Sequence, residues 1–158
     1  MAPGALYSVL NLAILPPWLL LAVLPHRRIT HTLVHAIWIP LILTPFDVWA
    51  LFLGPPLPEG AGFGDLPSLT RAFQSPTAVL AGWTHYLVFD LFVGAWIVRE
   101  ARRERIDHWR TVPLLFATLM AGPVGLAAYL LLRTATTHRI GLDEAPARGS
   151  SPTELPPP

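Results

Sequence analysis

The sequence predicts an all-α membrane protein, a four-helix transmembrane bundle with proline-kinked helices, and three observations carry that expectation. Hydrophobic residues make up 53% of the chain and charged residues only 13%, against about a quarter charged in a soluble domain. The mean hydropathy is +0.48. The apolar residues fall into blocks at about 5–24, 32–53, 77–98 and 111–132, each near the ~20 residues needed to span a ~30 Å hydrocarbon core. Finally, the arginines gather between blocks, in "PHRRITH" and "REARRERIDHWR".

In the first block, "MAPGALYS" is uncharged and the arginines follow the apolar run. That order favours a retained helix with its N-terminus outside over a cleaved signal peptide. Pro16 and Pro17 should kink this helix, because proline removes a donor and clashes with the preceding turn. Pro40 and Pro45 should do the same in the second block. After it, "GPPLPEGAGFGDLPSLTRAFQSP" opens turn-rich and then sets Leu66, Leu69, Ala72 and Phe73 at helical spacing. With proline in its first turn, this reads as a short amphipathic helix on the outer surface, or as a lid. The fourth helix carries "GPVG" at 122–125. Residues 1–137 thus form the transmembrane domain, and the proline-rich 138–158 should be a disordered tail.

Loop arginines set the expected orientation. Arg27 and Arg28, with Arg99, Arg102, Arg103, Arg105 and Arg110, fall on one side of a four-span topology. Arg71, Arg133, Arg139 and Arg148 fall on the other. The denser side should be the cytoplasm of a bacterial inner membrane, with both termini outside. The absence of cysteine excludes disulfide and thiolate chemistry, and a net charge of +1 without a basic face argues against nucleic acid.

The polar residues inside the blocks include Asn11, His35, Asp47, His85, Tyr86 and Asp90. A carboxylate at mid-membrane costs about 2.5–3.5 kcal/mol on insertion scales, so both aspartates should face the interior. At 1.5 Å per residue, Asn11 and Asp47 lie ~9 Å from the outer helix ends and His85 ~12 Å, one shared polar layer. Tyr86, Asp90 and Gly94 share a face by their spacing of four, whereas His85 lies about 140° from Asp90. The better partner for His85 is therefore Asp47. Two interpretations stand side by side: these groups are interhelical hydrogen bonds worth about 1 kcal/mol each, or an acid and a base converge in an apolar pocket. His-x-x-His and Glu-x-x-His spacings are absent, so no metal site is expected.

Two ordered motifs carry a family resemblance. "LAGWTHYLVFDLFVGAWIVREARR" contains Gly82, Trp83, His85, Tyr86, Phe89, Asp90 and Gly94, and "VPLLFATLMAGPVGLAAYLLLR" contains Gly122-Pro123-Val124-Gly125. Together they resemble the membrane protein family typified by plant neoxanthin synthase, in the abscisic-acid branch of carotenoid metabolism. The resemblance covers roughly 66–133, and the first two blocks fit by hydropathy only. It implies opening of a carotenoid 5,6-epoxide to an allenic alcohol, an isomerisation that needs no external reductant or other cofactor. That chemistry asks for an acid at the epoxide oxygen and a base at the adjacent polyene carbon. Asp90 as acid, His85 as base, Asp47 as its partner and Tyr86 as a hydroxyl donor supply those types. The substrate would lie among Asn11, Trp83, Phe89, Gly94, Leu119, Ala121, Gly122 and Pro123. Leu119 and Ala121 are smaller than the aromatic residues the family pattern leads one to expect there, which reshapes the pocket. The expected partners are a carotenoid or other isoprenoid lipid, the membrane, and other carotenoid-pathway enzymes. The alternatives are oxidative polyene cleavage with a bound metal, and a non-catalytic carotenoid-binding subunit.

Overall fold

The computed structural model describes residues 3–35 and 38–141, apart from the side chains of 38–40 and 51. Every regular element among them is helical: α1 (Pro3–Val23), α2 (Arg28–Leu33), α3 (Trp38–Phe52), α4 (Leu66–Ala72), α5 (Pro76–Arg103), α6 (His108–Met120) and α7 (Gly122–Thr137).

Two of these, α1 and α5, are long and apolar enough to cross a membrane. The expected four spans are therefore not confirmed among the described residues. The second block yields the 6-residue α2 and the 15-residue α3 instead of one long helix. The third block extends to Arg103, so Arg99, Arg102 and Arg103 of the arginine-rich "loop" belong to the last turns of α5. The fourth block is broken at Ala121, whose φ of −157° and ψ of 75° leave the helical region. Pro123 is the cause: in a continuous helix its ring would collide with the Leu119 carbonyl, and it has no N–H to offer that oxygen. In α1, by contrast, the helix runs on through Pro16 and Pro17.

The break turns the fourth block into a hairpin. The start of α6 is tied to the end of α1, where His108 Nε2 donates to the Ala22 carbonyl at 2.8 Å. Its far end meets Tyr86 of α5. The chain then returns along α5, with Gly122 against Asp90, Tyr129 edge-on to Trp96 at 5.6 Å, and Arg133 bonded to Glu100. At 1.5 Å per residue α6 rises about 18 Å, short of a ~30 Å core. A bilayer-spanning fourth helix would have put residue 133 at the opposite end. The described part of the C-terminal segment, up to Gly141, lies instead at the α5 C-terminal end, away from Pro3, which gives the placement of both termini on one side no support. The remainder of the tail, 142–158, lies outside the described residues.

α5 is the axis. Leu10, Ile14, Trp18 and Leu21 of α1, spaced by four, four and three, form one face buried against it. α3 runs antiparallel on another side, with Asp47 opposite His85 and His35, just before α3, hydrogen-bonded to Arg99. Away from the core the surface stays apolar: Leu12, Ile42, Phe92, Phe116, Val124 and Leu131 are all more than half exposed. α4 is present where the spacing placed it, opened by an Asp65–Ser68 capping box with Pro67 in its first turn.

Candidate functional site

α5 presents its polar residues on two faces. On the first, Tyr86 and Asp90 seal the α6–α7 break. The Leu119 carbonyl is the one that Pro123 leaves without a helical donor, and the Tyr86 hydroxyl donates to it at 3.2 Å. One turn along α5, the Asp90 carboxyl lies against the Tyr86 hydroxyl and the backbone N–H of Gly122, at the start of α7. The N-terminal N–H groups and dipole of α7 suit an acceptor there. A Cβ on Gly122 would overlap the Asp90 carboxyl, and one on Gly125 would overlap the Thr118 backbone and hydroxyl, so both glycines are needed for this approach. The two sequence motifs thus meet as one structural unit. Asp90 is 8% exposed, and its Oδ2 is buried without a hydrogen-bond partner among the described residues.

The same face continues toward the N-terminus of α5. Trp83 packs on Tyr86 and Tyr7 with ring centroids 5.2 and 5.6 Å apart, and its Nε1 donates to Asn11 Oδ1 at 3.3 Å. Asn11 therefore belongs to the α1–α5 contact and does not join Asp47 and His85 in one polar cluster. Gly94 admits the Trp18 ring, which would stand 2.6 Å from a Cβ there, so Gly94 serves helix packing.

The second face borders a cleft of about 470 Å³ between the end of α3, the segment 54–63, α4 and the first turns of α5. Phe52, Phe63 and Phe73 make its walls apolar, while Asp47 and His85 bring a carboxyl and an imidazole to it from facing helices. His85 stacks on Phe89 at 4.3 Å, and Asp47 Oδ1 is buried without a hydrogen-bond partner among the described residues. Gly82 also lines the cleft, beside Phe73. The outer wall is held by Asp65 capping α4 through Ser68 N–H at 2.7 Å and by Arg71 donating to the Gly60 carbonyl at 3.4 Å. The Ser68 hydroxyl and N–H hold the Asp65 carboxyl below its usual range.

The structure thus separates residues that the sequence reading grouped. His85 and Asp47 share the cleft; Asp90, Tyr86, Leu119 and Gly122 meet on the other side of α5, and Ala121 is the hinge. Among the described residues no three His, Asp or Glu side chains cluster as metal ligands. What the sequence reading missed is a buried ionic knot. Arg133, 1% exposed at its side chain, bonds Glu100 at 3.0 Å, Glu104 at 3.2 Å and the carbonyls of Arg139 and Gly141. The available signal was a pair of glutamates within an arginine-rich turn, four residues apart on one face.

The fold and site define a class: an all-helical protein with two helices fit to cross a membrane and a helical hairpin broken at Gly-Pro. Within that class the chain belongs to the ABA DEFICIENT 4-like (ABA4-like) family, whose description matches residues 5–129. The match takes in the Tyr86–Asp90 face, the helix break and the α3 side of the cleft. It connects the chain to the carotenoid and abscisic-acid pathway. No curated protein and no solved structure matches the chain.

Proposed function

We propose that this protein is a membrane-embedded carotenoid-modifying isomerase whose working site is the Asp47–His85 cleft. The observation that carries the reading is the buried, partnerless Asp47 Oδ1 facing an imidazole in an otherwise apolar recess. A buried acceptor without a partner is costly, and an oxygen on a bound ligand would satisfy it. At about 470 Å³ the cleft falls in the usual ~300–1,000 Å³ range of small-molecule sites and suits an oxygenated end group, with the polyene lying along the exposed apolar surface. Protonated Asp47 gives a proton to the epoxide oxygen as the carbon–oxygen bond breaks, and neutral His85 removes one from the adjacent polyene carbon. One proton enters and one leaves, so the reaction is an isomerisation. Tyr86 and Asp90 support the site by holding the hairpin.

The exposed apolar side chains on α1, α5, α6 and α7 support lipid as the surrounding medium. Among the described arginines only Arg71 lies at the α5 N-terminal end, which supports a cytoplasmic position for the other end. A binding-only subunit is the second reading, favoured because the motif residues Tyr86 and Asp90 face the helix break and not the cleft.

The test is expression in a carotenoid-producing host with pigment profiling. A new pigment from the native protein, lost in Asp47→Asn and His85→Gln at matched folded amounts, supports catalysis. Bound, unchanged pigment supports the binding-only subunit. Failure to bind or convert any pigment overturns both.

A further inference from the structure

A second polar site lies at the opposite end of α5 from the cleft. Two adjoining recesses of about 200 and 80 Å³ share His26, Val98 and Arg102 as common wall. Arg27, Arg99 and Arg105 complete the cationic lining, with His31, His35 and His108. These groups arrive from five places: the turn after α1, α2 and its end, the last turns of α5, the loop that follows it, and the start of α6. No carboxylate lines either recess. The nearest acids are engaged elsewhere, Glu100 and Glu104 with Arg133 and Arg103, and Asp107 with the Trp109 N–H.

The histidines are crowded by like charge. His26 and His108 have ring centroids 6.1 Å apart, and His31 and His35 are at 6.0 Å. Arg99 Nη1 lies 3.0 Å from His35 Nδ1. An arginine can only donate, so this nitrogen accepts and its ring is neutral. Burial first, then Arg99, His31 and His26, hold His35 down at about 4. Burial, Arg102 and His108 also lower His26.

Four arginines, exposed at the rim of two recesses that no carboxylate lines, offer their donors to an anion. Guanidinium groups match phosphate oxygens in bidentate geometry, and an anion among these histidines would favour their charged forms. We infer that this recess binds a phosphate group, carried by a phospholipid headgroup or by a soluble phosphate. Binding takes up protons, because the anion favours the charged forms of His26 and His35, and it strengthens as pH falls through the raised midpoints of these rings. The site is independent of the carotenoid reading and stands or falls without it.

The test follows the histidine ring signals by NMR in phosphate-free dodecyl maltoside micelles. One arm adds inorganic phosphate, and the other dopes the micelles with phosphatidylglycerol. The expected result is a rise of at least one pH unit in the midpoints of His26 and His35, beyond any change in exposed His138 at the same end of the molecule. A rise with the lipid alone identifies a headgroup, and a rise with inorganic phosphate identifies a soluble ligand. Arg99→Gln/Arg102→Gln should abolish the rise, and Arg105→Gln, on the exposed loop, should reduce it if the double variant does not fold. No rise in either arm, a rise equal to that of His138, or a rise unchanged in these variants would overturn the site.

Discussion

Replacing Tyr86 by phenylalanine tests how the two family motifs depend on each other. The substitution keeps the ring and deletes one hydroxyl, which donates at 3.2 Å to the Leu119 carbonyl. That carbonyl has no second source of a helical N–H, because residue 123 is proline. A buried acceptor left unsatisfied costs about 1–3 kcal/mol, whereas measured interhelical hydrogen bonds in membranes average nearer ~0.6 kcal/mol. The oxygen is only part-buried, so we expect about 1 kcal/mol, or roughly 2–4 °C in Tm for a chain of this size. Pro123→Ala restores an N–H at the position that would serve Leu119. In that background Tyr86→Phe should cost less, keeping only the loss of its contact with Asp90, with a coupling energy of up to about 1 kcal/mol in a double-mutant cycle. Thermal or SDS-induced unfolding of the four proteins in one detergent measures it. Equal losses from Tyr86→Phe in both backgrounds would refute the argument, since the hydroxyl would then serve something other than the proline-orphaned carbonyl.

Gly122→Ala places a methyl group into the Asp90 carboxyl and should destabilise by about 1–3 kcal/mol, read in the same unfolding assay. Glu100→Gln removes a charge bonded to the buried Arg133 guanidinium; with Glu104 still in place the loss should be about 3 kcal/mol, and protease cleavage after Thr137 should quicken. His35 should make the protein acid-sensitive: its folded-state value near 4 lies below the unfolded 6.5, so the folded state binds fewer protons. Its share of stability is full above pH 6.5, falls as pH drops toward 4, and the corresponding slope should be missing in His35→Gln. The Asp65 cap works in the same direction in a lower window: its depressed value means that the contribution is present above the unfolded 3.8 and lost below it, visible as exposure of α4 to proteolysis at acid pH.

Much of the fold was legible in the sequence because bilayer-scale apolar blocks, helix caps and turn residues act locally. The blocks gave α1 and α5, and Asp-Leu-Pro-Ser opened α4. The five-residue offset between His85 and Asp90 already required them to face different directions on one helix. Depth along antiparallel helices also suggested a layer holding His85 and Asp47; both line one cleft, with no hydrogen bond between them among the described residues.

Other features depended on which neighbour each face met. Gly-Pro in an apolar run is consistent with a kinked span or with a reversal. Local chemistry leaves the same orphaned carbonyl in either case. The choice of reversal rests on Tyr86 and Asp90 reaching the break from another helix, and on Gly122 and Gly125 letting backbones approach where side chains would collide. The reversal then carries Arg133 back to Glu100, 33 residues away in sequence, and brings the end of α7 to the C-terminal end of α5. Sequence fixes which groups need partners, since an orphaned carbonyl or a buried charge is a property of the residue. Only the tertiary structure decides which partner arrives, because that depends on the packing of segments whose separation along the chain carries no distance information.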